Sequence, residues 1–253
     1  MSLTPEFTTF EKEYKSGRNQ VVYSKLTSDL YTPVSIILKL AGSKKNSFIL
    51  ESVTGGEIRG RYSIIGMDPD LIWKCEEEQS FLSSGDSVFK PISGQPLSVF
   101  RDLLQQSVIN LPKELPQSSA GLFGYFGYDM VRHVENLPNL NKDTIGLPDA
   151  MFIRPSIIAV LDGVKGEVIL VAPVFYEPKV DEKEAFKKAK EKISSAILEL
   201  KKQTITDRNL GTPGEMEEPT SNFTKDEYKA AVNRAKNYIN NCLLYTLTLP
   251  TMS

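Results

Sequence analysis

Two apolar runs rich in Ile and Val, residues 151–162 (MFIRPSIIAVLD) and 167–174 (EVILVAPV), are separated only by Gly163-Val164-Lys165-Gly166. No other feature constrains the fold as strongly. Each run has strand length and β-branched character, and a short glycine-flanked connector joins such runs as an antiparallel hairpin. Further strand-like segments occur at 47–52, 61–66 and 71–76, the last carrying the only tryptophan, Trp73. Ser83-Ser84-Gly85-Asp86 reads as a turn between two more short strands. In Gly121-Leu122-Phe123-Gly124-Tyr125-Phe126-Gly127-Tyr128-Asp129 a glycine stands at every third position. That spacing predicts a strand whose backbone another element approaches closely, with Tyr125, Phe126 and Tyr128 in the core.

Helices are expected around this sheet. Thr32-Pro33 supplies a capping hydroxyl and a proline at the first helical position, Val34, Ile37, Leu38 and Ala41 have helical spacing, and Gly42 ends the element. Over 97–109 the residues Leu97, Phe100, Leu103, Leu104 and Val108 line one helical face, closed by Pro112 and Pro116. Residues 181–202 form an amphipathic helix with Phe186, Ala189, Ile193, Ala196, Ile197 and Leu200 inward. The expected fold is α+β, a largely antiparallel sheet with flanking helices over residues 1–203. A polar Gly- and Pro-containing linker follows at 204–222. Thr224-Lys225-Asp226-Glu227 is a capping box that opens a further helix within 223–241.

The chain end breaks this pattern. Residues 242–253, CLLYTLTLPTMS, have neither helical period nor strand alternation and no charge, in a chain that is 25% charged. We expect this tail to be non-native: residues 242–251 back-translate onto a transposon-type sequencing adapter with one base missing. Continuous genomic DNA encoding the tail is the observation that contradicts this.

Composition narrows the function classes. A formal charge of −2 gives no basic field for nucleic acid. No run approaches the roughly 18 apolar residues of a membrane span, and the polar N-terminus is unlike a signal peptide, so a cytoplasmic chain is expected. Cys75 and Cys242 make neither a disulfide framework nor a metal spacing. His133 is the only histidine and reads as a surface or supporting residue. No Ser-His-Asp or Cys-His catalytic arrangement can be argued, because Cys75 sits in a strand beside three glutamates that raise its pKa. The glycines of 121–127 have the wrong spacing for a dinucleotide loop.

One stretch points to a small-molecule pocket. In FILESVTGGEIRGRYSIIGMDP (48–69) one strand delivers Glu51 and Ser52, a glycine-broken loop follows, and a second strand begins at Arg61. A carboxylate, a hydroxyl and a guanidinium at one sheet end form the set a free amino acid needs: an acceptor for its ammonium and donors for its carboxylate.

Leu50-Glu51-Ser52, Gly60-Arg61-Tyr62-Ser63-Ile64-Ile65-Gly66 with Pro69, and the glycine-aromatic run 121–129 together resemble the N-terminal half of anthranilate synthase component I. The helix after Thr224 resembles the start of that family's chorismate-utilising segment. The resemblance covers residues 6–240 and implies the N-terminal half of a chorismate-utilising enzyme fold. It further implies a feedback site for tryptophan lined by Pro33, Leu50, Glu51, Ser52 and Arg61. There Glu51 takes the ammonium, Arg61 or nearby amides the carboxylate, and Pro33 with Leu50 the flat ring. The family reaction converts chorismate and ammonia into anthranilate and pyruvate with magnesium, the ammonia coming from a glutaminase subunit. Its metal ligands and catalytic groups lie in the C-terminal half. This chain is therefore expected to carry the tryptophan site, to bind tryptophan weakly or not at all by itself, and to form no anthranilate alone. Aminodeoxychorismate synthase component I is the nearest alternative, and a stand-alone tryptophan-binding module is another.

Overall fold

A computed structural model describes residues 2–42, 44–54, 58–85, 88–137, 143, 145–202 and 220–241, without the side chains of 52–54, 58 and 59. The chain divides into two units, Met1–Thr204 and Ile205–Ser253. In the first, the order is α1 (Phe7–Lys15), β1 (Gln20–Thr27), α2 (Pro33–Leu40), β2 (Phe48–Thr54), β3 (Ile58–Glu76), β4 (Gln79–Ser83) and β5 (Lys90–Ile92). Then come α3 (Pro96–Gln106), β6 (Phe123–Phe126), β7 (Ala150–Asp162), β8 (Glu167–Val174) and α4 (Glu182–Lys201). The second unit contains α5 (Lys225–Asn240), whose Thr224 and Glu227 form the expected capping box. Residues 203–219, which hold most of the linker expected at 204–222, and the expected tail at 242–253 lie outside the described residues.

Among the described residues eight strands join one sheet, ordered β1-β8-β7-β3-β4-β5, with β2 added on β3 and β6 on β7. Every pairing is antiparallel. The hairpin of β7 and β8 forms as its sequence requires, pairing Asp162 with Glu167 across the glycine connector. Its unbroken apolar character has a structural reason: both faces are covered, so neither strand alternates. On one face Phe10 and Tyr14 of α1, Ile36 and Leu40 of α2, and Ala189, Ile193 and Leu200 of α4 pack on Val22, Ile65, Met67, Ala159 and Leu170. On the other, the irregular segment after α3 lays Ile109, Leu111, Leu115 and Ala120 over Val21, Tyr23, Ile158, Val160 and Val171. A third cluster gathers Trp73, Phe100, Leu103, Met130 and Phe152 at the β4 end. The indole N–H of Trp73 is buried there without an acceptor.

Several expectations are corrected. The segments 61–66 and 71–76 belong to one strand, β3, bent by a register shift between Pro69 and Leu71 with Asp68 at φ 49°. Met-Asp-Pro-Asp looks like a strand break, but a bulge admits proline within a central strand. The inward face of α2 is Ile36 and Leu40, while Val34 and Leu38 are exposed. PVSIILKL is apolar nearly all round, so its spacing cannot fix the phase. In α3 the buried residues are Pro96, Val99, Phe100 and Leu103; Leu104 lies on the exposed side of the helix, and Val108 is exposed beyond its end at Gln106. The glycine reading of the 121–129 run holds: a Cβ on Gly124 would collide with the Met151 carbonyl, and one on Gly127 would crowd that of Asp149. Its core reading does not, since Tyr125 and Phe126 are half exposed and Tyr128 is 90% exposed. β6 is an addition to the β7 edge, and among the described residues no strand pairs with its outer side. Neither α1 nor β1 was expected. α1 buries only Phe10 and Tyr14, too few for a clear periodic signal.

Candidate functional site

The β2–β3 pairing sets Leu50 opposite Ile64 and Glu51 opposite Ser63. Beyond Glu51 the register shifts. At this end of the sheet Leu50, Glu51, Gly60, Arg61, Tyr62, Ile64 and Ser118 line an open depression of about 530 Å³. Leu50 is half exposed and Glu51 exposed, so an apolar and an acidic residue both stand at the surface. Tyr62 and Ile64 form the floor as the outer members of the cluster under the 109–120 segment. That segment ends its cover here by bringing in Ser118.

Arg61 is the best-anchored member of the wall. Its Nε donates to Asp162 Oδ1 at 3.0 Å and its Nη2 to Asp162 Oδ2 at 2.8 Å. Its guanidinium also lies 4.8 Å from the centre of the Tyr62 ring. Asp162 is buried at the end of β7, where β3 and β7 pair it with Tyr62. Its Oδ1 accepts from Val164 N and Lys165 N as well, and the Arg61 carbonyl accepts from Gly163 N at 2.8 Å. The hydrogen bonds of Arg61 hold the Asp162 carboxyl below the usual range, against the opposing effect of burial, and the two turn amides add to the effect.

The structure brings Leu50, Glu51 and Arg61 together as the sequence suggests. Pro33 does not line the depression. It starts α2, whose buried residues pack with Ile65 and Met67, and these alternate on β3 to the face opposite Tyr62 and Ile64. The Ser52 side chain lies outside the described residues. Sequence reasoning missed Tyr62, Ile64, Ser118 and Asp162. The first two were legible as the alternate positions of β3 facing Leu50. Ser118 arrives on a single 3-10 turn, Gln117–Ser119, too short to leave a periodic signal.

Cys75 and His133 also meet, Sγ and Nε2 lying 3.6 Å apart. The contact is not a nucleophile and its base. Burial, followed by Asp149 and Glu76, pushes the thiol up to about 11, and its sulfur lies 3.3 Å from the Glu77 carbonyl.

The family described as chorismate binding enzyme matches residues 45–251. The chain belongs to the chorismate binding enzyme family. It is 49% identical over 237 residues to anthranilate synthase component 1 of Cereibacter sphaeroides, covering 92% of this chain and 47% of that relative. It is 36% identical over 225 residues to the component 1 of Pseudomonas putida, covering 84% and 43%. The crystal structure of anthranilate synthase component I from Streptococcus pneumoniae superposes with a TM-score of 0.52 at 22% identity, over 85% of this chain and 45% of that one, and shows the same fold. This family member thus spans about half the length of the curated relatives it matches. Among the described residues no helix is long and apolar enough to cross a membrane.

Proposed function

We propose that this chain is a part of anthranilate synthase component I that carries its feedback site for tryptophan, and that the depression at the β2–β3 end is that site. The carrying observation is that Leu50, Glu51 and Arg61, an apolar residue, an acid and an anchored cation, line one depression, in a chain so similar to component 1 proteins. Glu51 accepts from the ligand ammonium, Arg61 or nearby amides donate to its carboxylate, and Leu50 with Ile64 covers the indole. Ser52 belongs to the same proposal through the family likeness alone; Pro33, whose helix packs on the other face of the sheet, is not part of this depression.

The reaction assigned to the intact protein is conversion of chorismate and ammonia to anthranilate and pyruvate, with a glutaminase partner and magnesium. Among the described residues no three His, Cys, Asp or Glu side chains come together to hold a metal ion, so no magnesium-dependent step is assigned to them. The purified 253-residue chain is expected to form no anthranilate from chorismate and ammonium. The intact gene product is expected to do so and to be inhibited reversibly by tryptophan. Tryptophan that co-purifies and does not exchange points instead to an aminodeoxychorismate enzyme.

A further inference from the structure

We infer that Asp162 is the positioning residue of the depression, holding the Arg61 guanidinium by one edge so that its other edge receives a ligand carboxylate. The inference rests on reading the depression as an amino-acid site and deepens it.

A guanidinium has five N–H donors arranged along two usable edges. Asp162 occupies the side edge, Nε with Nη2, in a two-point pair that fixes the plane of the group. The end edge keeps one hydrogen on Nη1 and the second on Nη2. Among the described residues no acceptor is bonded to them, and the Arg61 side chain remains 43% exposed against 3% for Asp162. The buried partner therefore anchors and the exposed partner presents. Asp162 is itself fixed by the turn amides of Val164 and Lys165. The Arg61 main chain is fixed by Gly163 N, and the Tyr62 ring lies beneath the guanidinium. Cation, anchor and turn form one unit, so little rotamer freedom remains for a ligand to remove on binding. An arginine is required because only a guanidinium engages two carboxylates on separate edges; a lysine ammonium has no such pair of edges.

The test compares L-tryptophan with tryptamine, which lacks the carboxylate, by calorimetric titration of the intact gene product. The wild type is expected to favour tryptophan by about ten-fold or more, the contribution of hydrogen bonds to a charged group. In Asp162→Asn and in Arg61→Lys that preference is expected to collapse towards one, with tryptamine affinity changed less than about two-fold on the same scale. Arg61→Lys keeps a cation beside Asp162, so it decides the matter should Asp162→Asn fail to fold. A merely structural Asp162 weakens both ligands together, and that result overturns the inference, as does a preference that survives in both variants. A wild type that binds neither ligand overturns the amino-acid reading and the inference with it.

Discussion

The two faces of the sheet are buried by different means. One lies under three helices whose residues form a continuous cluster from Phe10 through Ile36 to Leu200. The other lies under an irregular stretch that touches the strands through Ile109, Leu111, Leu115 and Ala120. Regular helices bring a residue to the sheet every third or fourth position and fill it to the edge. The irregular cover is narrower and ends at Ser118, where the depression opens over Tyr62 and Ile64. The helical side holds the fold together; the thinly covered side leaves apolar and charged groups available to a ligand.

That contrast can be broken at graded positions. The largest effect is expected on the helical side: Ile193→Ala empties a fully buried position and should lower unfolding free energy by about 2–5 kcal/mol in denaturant titration. Asp162→Asn should cost less, about 1–3 kcal/mol, since it weakens a charged hydrogen-bond set but leaves no cavity. Its effect has a defined pH dependence. The folded carboxyl of Asp162 lies below its unfolded value, so its contribution is complete above the unfolded pKa near about 4 and is lost as pH falls through the folded pKa. Thermal melts of wild type and Asp162→Asn should therefore differ most at neutral pH and converge in strong acid. A constant gap down to the lowest pH contradicts the ion-pair account. The smallest effect on stability belongs to Leu50→Ser, within about 0.5 kcal/mol because the side chain is already half exposed. The same substitution should weaken tryptophan binding, which separates a ligand wall from a core position.

The same contrast explains what was legible in the sequence. The hairpin of β7 and β8 and the helix α4 could be read because each repeats a simple pattern, an apolar run or a 3.6-residue stripe. α2 could be placed by Thr32 and Pro33 but not phased, because its apolar residues encircle it. β3 looked like two strands since a bulge and a turn share Asp, Pro and positive φ as their signals. At the site, Leu50, Glu51 and Arg61 were legible because polar groups interrupt an otherwise apolar strand pair. Asp162 was not, although it ends the most evident hairpin, because its partner is 101 residues away and only the β3–β7 register joins them. Cys75 and His133 were missed as a pair for the same reason, being 58 residues apart.

The central claim is that the depression between Glu51 and Arg61 is a regulatory amino-acid site. Its most direct test is tryptophan inhibition of anthranilate formation by the intact gene product, wild type against Glu51→Gln. The account predicts that Glu51→Gln retains turnover and needs about ten-fold or more tryptophan for half inhibition, because the ligand ammonium loses its ionised acceptor. Unchanged inhibition of a fully active Glu51→Gln enzyme would contradict it.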